Sequence, residues 1–378
     1  MSGIYIHIPF CKQACHYCNF HFSTSLKYRA DVVTAIVQEI AQRHDYLEDK
    51  QISSVYFGGG TPSLLTTDEL QSIFTQLHHY FQIAPNAEIT LEANPDDLNL
   101  ASLTALKATP INRLSIGIQS FTEEDLQFMN RAHSAQEAEV CIELARQAGF
   151  DKLSIDLIYG TPTLTDAQWE SNLARVFAQR VPHISCYCLT VEPNTALDHF
   201  VKTGKAAPVD EEKSTRHFEI LLRAMEAHGY VQYEISNFAL PDHYAQHNSN
   251  YWLNVPYLGL GPSAHSFDGN SRQWNIANNA KYRKAIQHPG KNQLFEREVL
   301  QAADRYNEYI LTSLRTIWGC RLVTIQNIDF KFATYFLEKI KSYLDQALIL
   351  EEDDTYRLST SGKLLADRIA MELFWEEA

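Results

Sequence analysis

The sequence predicts an α/β architecture: a partial (β/α)6 barrel of the TIM type, followed by a small helical, winged-helix-like domain. Three observations carry this expectation. Short runs of β-branched and aromatic residues end in Gly, Pro, Asn or Asp and give way to helical periodicity. Their starts recur near the ~30 residues that a βαβ unit needs, which implies parallel strands. No run leads into the Gly-x-Gly-x-x-Gly turn of an open dinucleotide-binding sheet, and this favours a barrel, complete or not.

The expected strands are Ile4 to Phe10, Ile52 to Phe57, Glu88 to Asn94, Asn112 to Gln119, Lys152 to Tyr159 and His183 to Thr190. Between them, Tyr28 to Arg43 places Val32, Val33, Ile36, Val37 and Ile40 on one helical face. Ala135 to Ala148 reads as a helix that stops at Gly149, with Ser134 and Glu137 spaced as a capping box. The rhythm breaks after Gln232-Tyr233-Glu234-Ile235, so the barrel is expected to span 1–239. Residues 240–295, rich in Asn, His, Tyr, Pro and Gly, read as a connecting segment. Residues 296–378 read as the C-terminal domain, with helices at Asp304 to Arg315, Phe332 to Ala347 and from Ser361, and a further segment at Leu322 to Ile328. In that domain Leu348 to Leu350 and Tyr356 to Leu358 flank the acidic turn Glu351 to Thr355 as a small hairpin.

The 378 residues carry 32 Lys and Arg against 46 Asp and Glu, a net charge of −14 that would repel a polyphosphate backbone. Nucleic acid is therefore excluded as a partner, and the acidic hairpin argues the same for the C-terminal domain. No apolar stretch approaches the ~20 residues of a transmembrane helix, and the start of the chain lacks the pattern of a signal peptide. A cytoplasmic location is expected.

Of seven cysteines, Cys11, Cys15 and Cys18 cluster just after the first strand, while Cys141, Cys186, Cys188 and Cys320 are scattered. An odd total argues against a disulfide framework, and packing is the default for Cys141, Cys186 and Cys188. Three thiolates at this spacing suit an iron–sulfur cluster with one iron left open. The alternative is a zinc site completed by His7, His16 or His21.

Barrel sites form at the C-terminal ends of the strands, and polar residues recur there. Gly58 to Thr61 follow the second strand, Glu92 lies near the end of the third, Gln119 ends the fourth, Asp156 lies late in the fifth and Thr190 ends the sixth. A glycine run lets backbone N–H groups approach an anionic or zwitterionic ligand; its plain alternative is a tight turn. Glu92 and Asp156 are carboxylates in apolar strands, where burial is costly without a ligand or a partner such as Arg131.

Cys11-x-x-x-Cys15-x-Tyr17-Cys18 after a first strand resembles the radical S-adenosylmethionine (SAM) superfamily. More narrowly, the chain is similar to the oxygen-independent coproporphyrinogen oxidase group. The motifs in order are Gly58-Gly59-Gly60-Thr61-Pro62-Ser63, Leu91-Glu92-Ala93-Asn94-Pro95, Ser115 to Phe121, Asn130-Arg131-Ala132-His133, Asp156 to Gly160 and His247-Asn248-Ser249-Asn250-Tyr251-Trp252. The resemblance implies a 4Fe-4S cluster on Cys11, Cys15 and Cys18. It also implies SAM contacts from Tyr5, Tyr17, Gly59, Gly60, Thr61, Glu92, Gln119, Arg131 and Asp156, and in principle the capacity to cleave SAM.

Within the group, the coproporphyrinogen dehydrogenases carry another cysteine two residues after the third ligand, where this chain has Phe20, and a longer stretch before the motif. Both departures, with His247-Asn248-x-x-Tyr251-Trp252 and Gly259-x-Gly261…Ala264-His265, point to the heme-chaperone branch rather than to oxidative decarboxylation to protoporphyrinogen IX. Heme is then expected as bound cargo, with acceptor hemoproteins, an electron donor and a second copy of the chain as partners. His247 and His265 are candidates for heme contact, the alternative being hydrogen bonds that fix this segment against the barrel.

Overall fold

The computed structural model describes residues 1–376. Its main sheet begins with β1 (Ser2–Ile8), β2 (Gln51–Gly59), β3 (Gln82–Ala93), β4 (Arg113–Gln119), β5 (Lys152–Tyr159) and β6 (His183–Cys188), which pair in that order, all parallel. A right-handed strand–helix–strand crossover favours this order, because each helix returns onto the sheet beside its own strand. Past β6 the sheet is edged by the antiparallel pair β7 (Val231–Gln232) and β8 (Asn237–Ala239). On the other side β9 (Tyr257–Leu260) lies parallel to β1, followed by β10 (His265–Phe267), β11 (Ser271–Asn275) and β12 (Phe295–Val299). The ladder therefore runs β12-β11-β10-β9-β1-β2-β3-β4-β5-β6-β8-β7, an open sheet with two ends, and the segment 240–295 continues it rather than merely linking two units.

The strand limits differ from expectation where local chemistry decides them. Pro9 has no N–H to continue a ladder, so β1 stops at Ile8 and Phe10 keeps only an isolated bridge to Ser23. β3 begins earlier than Glu88 because a register shift against β2 absorbs its Pro85 region. β6 ends at Cys188, leaving Thr190 exposed beyond it, and Cys188 is itself exposed, unlike the buried Cys141, Cys186 and Cys320. The helix Ala135–Gln147 has the anticipated capping box: Ser134 Oγ accepts from the Glu137 N–H and the Glu137 carboxylate from the Ser134 N–H.

Outward residues of the parallel strands, such as Leu114, Ile116, Leu153, Ile155 and Ile184, are fully buried beneath the surrounding helices. A second core, around Tyr306, Phe332, Phe336, Tyr356 and Ile369, belongs to the C-terminal unit. There the helices Ala302–Ser313, Leu322–Ile328, Phe330–Lys339 and Lys341–Asp345 precede the hairpin Ile349–Glu352 and Thr355–Leu358, to which Cys320–Arg321 adds a third strand. The helix expected from Phe332 to Ala347 is broken at Ile340, and the acidic turn residues Asp353 and Asp354 both take positive φ, as a two-residue hairpin requires. Among the described residues, no helix is long and apolar enough to cross a membrane.

Phe336 is fully buried, edge-on to Tyr356 at 5.1 Å. Phe336→Ala should cost the C-terminal unit about 3–5 kcal/mol. Hydrogen exchange checks this: protection should fall in the C-terminal helices and persist in β1 to β6. An equal fall in both would show that the two cores unfold as one.

A candidate cofactor site in the barrel lumen

Period-two alternation along the parallel strands sends one set of side chains outward and the other into the lumen. The inward set is polar. Register places Tyr5 beside Tyr56, Tyr56 beside Thr90, Glu92 beside Ser115, Ser115 beside Ser154, Ser154 beside His183 and Asp156 beside Ser185. All of these but Thr90 surround a cavity of about 160 Å³ together with Arg113, Tyr187, Asn237, His247 and Asn248.

Glu92 and Asp156 face this cavity, and neither lies in an ion pair with Arg131. Glu92 Oε1 accepts from the Tyr56 hydroxyl at 2.8 Å and Oε2 from the Gly59 N–H at 3.2 Å. Burial pushes the Glu92 carboxyl up to about 7, with Asp156 adding to the rise and Tyr56 and Gly59 opposing it. Burial likewise lifts Asp156 to about 6, against the Ser185 hydrogen bond and the Arg113 and Arg131 charges.

The loop after β1 carries Cys11, Cys15 and Cys18, all free and half-buried. The chain pins this loop from several sides. Cys11 N–H donates to Ser23 O at 3.1 Å, His16 N–H to Met129 O at 3.1 Å, and Gln13 Nε2 to Asn130 Oδ1 at 2.8 Å, while Asn130 Nδ2 returns a bond to Ala14 O at 2.7 Å. Lys12 pairs with Asp96 at 2.7 Å and also with Asp97. Burial raises the Cys11 thiol to about 11 and the Cys18 thiol in the same direction, so metal binding must release protons there.

Arg131 ties the loop to the lumen. Its Nη1 donates to Cys15 Sγ at 3.3 Å, and its Nη2 to Asn94 Oδ1 and Gly117 O, each at 2.7 Å; its buried Nε has no partner. Three free thiols, an adjoining guanidinium with an unsatisfied buried donor, and two lumen carboxylates fit a thiolate-held cluster with a zwitterionic ligand beside it. Among the described residues, no three His, Cys, Asp or Glu side chains already converge as the donor set of a single ion. The histidines weighed for zinc are engaged elsewhere: His7 with Tyr5 and His21 O, His16 with Phe128 O, and His21 with Asn279.

The remaining expected residues sit around the same mouth. Tyr17 packs with Leu126, Met129, Ile158 and Leu189, and Gln119, at φ +66°, turns the chain at the end of β4. Thr61 is buried, its hydroxyl accepting from Asn94 Nδ2 at 3.3 Å. Of the two readings of the glycine turn, its N–H groups follow the tight-turn one, because they are used within the protein. Gly60 donates to Ile8 O at 2.9 Å, Thr61 to Phe10 O at 2.7 Å and Gly59 to Glu92. A Cβ on Gly60 would stand 2.6 Å from Phe10 O, so the glycine lets the turn lie against the start of the cysteine loop.

His247 and His265 are not brought together. His247 is enclosed in the lumen; its Nδ1 bonds Ser54 Oγ at 2.8 Å, and burial lowers it to about 3. His265 is exposed at the start of β10, stacked on Trp274 at 6.1 Å. Sequence reasoning missed Tyr56, Arg113, His183 and the inward serines. Their signal was the alternation itself, as in Arg113-Leu114-Ser115-Ile116-Gly117-Ile118-Gln119.

The Radical SAM superfamily model matches residues 5–176. The heme chaperone HemW of Bacillus subtilis is 30% identical over 98% of each chain, and that of Escherichia coli 31% identical over 99% of this chain and 98% of its own. Among solved structures, coproporphyrinogen III oxidase (HemN) from Escherichia coli, a radical SAM enzyme, superposes with a TM-score of 0.85 at 25% identity, covering 98% of this chain and 89% of that one.

The raised carboxyls give a signed pH effect. Glu92 moves from 4.5 to about 7 on folding, so its contribution is full below pH 4.5 and is lost as the pH rises through about 7. Glu92→Gln should flatten that part of the profile and leave the metal-free protein on the order of 1–3 kcal/mol more stable than wild type near pH ~8. Denaturant titrations across this range measure it. Parallel profiles for the two proteins would contradict the assignment.

Proposed function

The chain belongs to the HemW family of the radical SAM superfamily, and on that footing we propose that it is a heme chaperone, binding heme and passing it to acceptor hemoproteins. Superfamily membership implies a 4Fe-4S cluster and SAM. When bound, this pair supplies reductive cleavage of SAM to methionine and a 5′-deoxyadenosyl radical, chemistry that side chains lack.

The chain's own residues divide the work. Cys11, Cys15 and Cys18 hold the cluster, and Arg131, donating to Cys15 Sγ at 3.3 Å, stabilises a thiolate there. Glu92, Asp156 and Gln119 offer hydrogen-bond acceptors to SAM, while Tyr5, Tyr17, Gly59, Gly60 and Thr61 shape the walls that exclude water. His265, exposed beside Trp274, is the heme candidate that a porphyrin reaches from solvent, whereas His247 faces only the lumen cavity of about 160 Å³. The reading also calls for an electron donor, allows a second copy of the chain as partner, and takes the cytoplasm as its setting.

Phe20 carries the choice between carrier and dehydrogenase. It stands where the dehydrogenases have a cysteine, two residues past Cys18, and the residue is 66% exposed. The second reading, coproporphyrinogen III dehydrogenase, is favoured by the likeness to the solved oxidase.

Anaerobic reconstitution should give about four irons and four sulfides per chain, falling to background in Cys11→Ala, Cys15→Ala and Cys18→Ala. A protein that takes up only zinc would contradict the cluster. With SAM and a reductant, offered coproporphyrinogen III and heme in separate reactions, the reconstituted protein should retain heme and form no protoporphyrinogen IX. Turnover of coproporphyrinogen would favour the second reading.

A further inference from the structure

The seven-residue helix Gln246–Trp252 lies against the lumen at β2 and β3, held there by Glu88, which accepts from the Gln246 and His247 N–H groups at 2.9 Å each. Its His247 and Asn248 side chains enter the lumen. Asn248 Nδ2 donates to the Tyr233 hydroxyl at 3.1 Å, which meets His183 at 2.8 Å, and His183 in turn bonds Ser154 at 2.6 Å.

His247 is 4% exposed; its face and its Nδ1 are held, while its buried Nε2 has no partner. Ser54 Oγ bonds Nδ1 at 2.8 Å, and the ring stacks on Tyr56 with centroids 5.1 Å apart and planes 23° off parallel. Tyr5 lies behind at 6.5 Å and Tyr251 edge-on at 5.2 Å. Gly3 makes the room, since a Cβ there would come 3.4 Å from His247 Cε1 and 3.2 Å from Ser54 Oγ. The other face of this arrangement is the candidate cofactor site, where the Tyr56 hydroxyl donates to Glu92 Oε1 at 2.8 Å.

We propose that His247 is a positioning residue for the Glu92 carboxylate of the cofactor site: clamped by Ser54, it holds the Tyr56 ring so that the phenol stays on Glu92. The inference rests on the reading that Glu92 contacts SAM. A histidine suits the task because it combines a flat face for Tyr56 with a ring nitrogen for Ser54. Phenylalanine would leave Ser54 only its long contact from Asn250 Nδ2 at 3.4 Å, and asparagine would satisfy Ser54 but offer no face to Tyr56. Without that face the Tyr56 ring regains rotameric freedom, and Glu92 loses a fixed donor.

The test is a double-mutant cycle on SAM binding, measured by equilibrium dialysis with the anaerobically reconstituted protein. His247→Asn and Tyr56→Phe should each weaken SAM binding roughly tenfold, and the double variant should be no weaker than Tyr56→Phe alone, because both changes cut one chain of contacts. Ser54→Ala, which removes the clamp together with the long contact from Asn250 Nδ2, should give a loss in the same direction and covers the case in which His247→Asn does not fold. The heme absorption spectrum and heme affinity of His247→Asn should match wild type. Additive losses in the double variant, undiminished SAM binding in His247→Asn and Ser54→Ala, or a changed heme spectrum would overturn the proposal. Wild-type protein that binds no SAM, or a Glu92→Gln variant that binds it undiminished, would instead refute the reading on which the proposal rests.

Discussion

Polar side chains taken out of water must find partners, and this requirement shapes the whole barrel. The strands bury both faces. Helices cover the outward apolar set, but the inward set includes Glu88, Arg113, Glu92, Asp156 and His183. Each end of the lumen supplies a different solution. At one end, Glu88 accepts the free N–H groups at the start of the helix Gln246–Trp252, and Ser54 and Tyr233 meet its histidine and asparagine. Toward the cysteine loop, Glu92 is left with one phenol and one amide, and Asp156 has no ion pair, so both keep raised proton affinity. Two buried carboxyls with raised proton affinity, facing one cavity beside the cysteine loop, mark the place a ligand completes.

The lumen helix can be where it is only because β9 to β12 are fastened to the barrel. Fully buried Glu39 and nearly buried Arg43 form an i,i+4 pair at 3.0 Å, and both carboxylate oxygens and both guanidinium Nη atoms have further partners. Arg43 reaches Gly259 O, Ser266 and Gln273, and Glu39 accepts from Gly261 N–H, Asn275 and Tyr282. Removing one partner of such a network leaves a buried charge, a loss of about 3–5 kcal/mol. The segment 240–295 is thereby part of the barrel's wall, and the chaperone-branch motif is part of its interior.

Much of this was legible in the sequence. Strand order, the capping box at Ser134 and the C-terminal hairpin follow from period, caps and turn residues, which are local signals. The cysteine loop and the two lumen carboxylates were equally visible, because thiolates at short spacing and acids within apolar strands have few ordinary explanations. Other features depend on contacts far apart in the chain. The pairing of β9 with β1 joins residues about 250 positions apart, as Gly3 with Tyr257, and nothing near Tyr257 announces it. The glycine run alone does not decide between a ligand cradle and a tight turn; its N–H groups meet Ile8, Phe10 and Glu92, a fact set by how closely β1 and β2 approach. The inward serines carry no signal singly; only their register across β2, β4, β5 and β6 makes them a surface.

The central claim is that the cysteine loop and the lumen carboxylates form one site, in which a cluster with an open iron meets SAM. Electron paramagnetic resonance of the reduced, reconstituted protein tests this most directly. The account predicts a cluster signal whose g-values shift when SAM is added and return to the SAM-free pattern in Glu92→Gln at the same SAM concentration. A cluster spectrum unchanged by saturating SAM would contradict it.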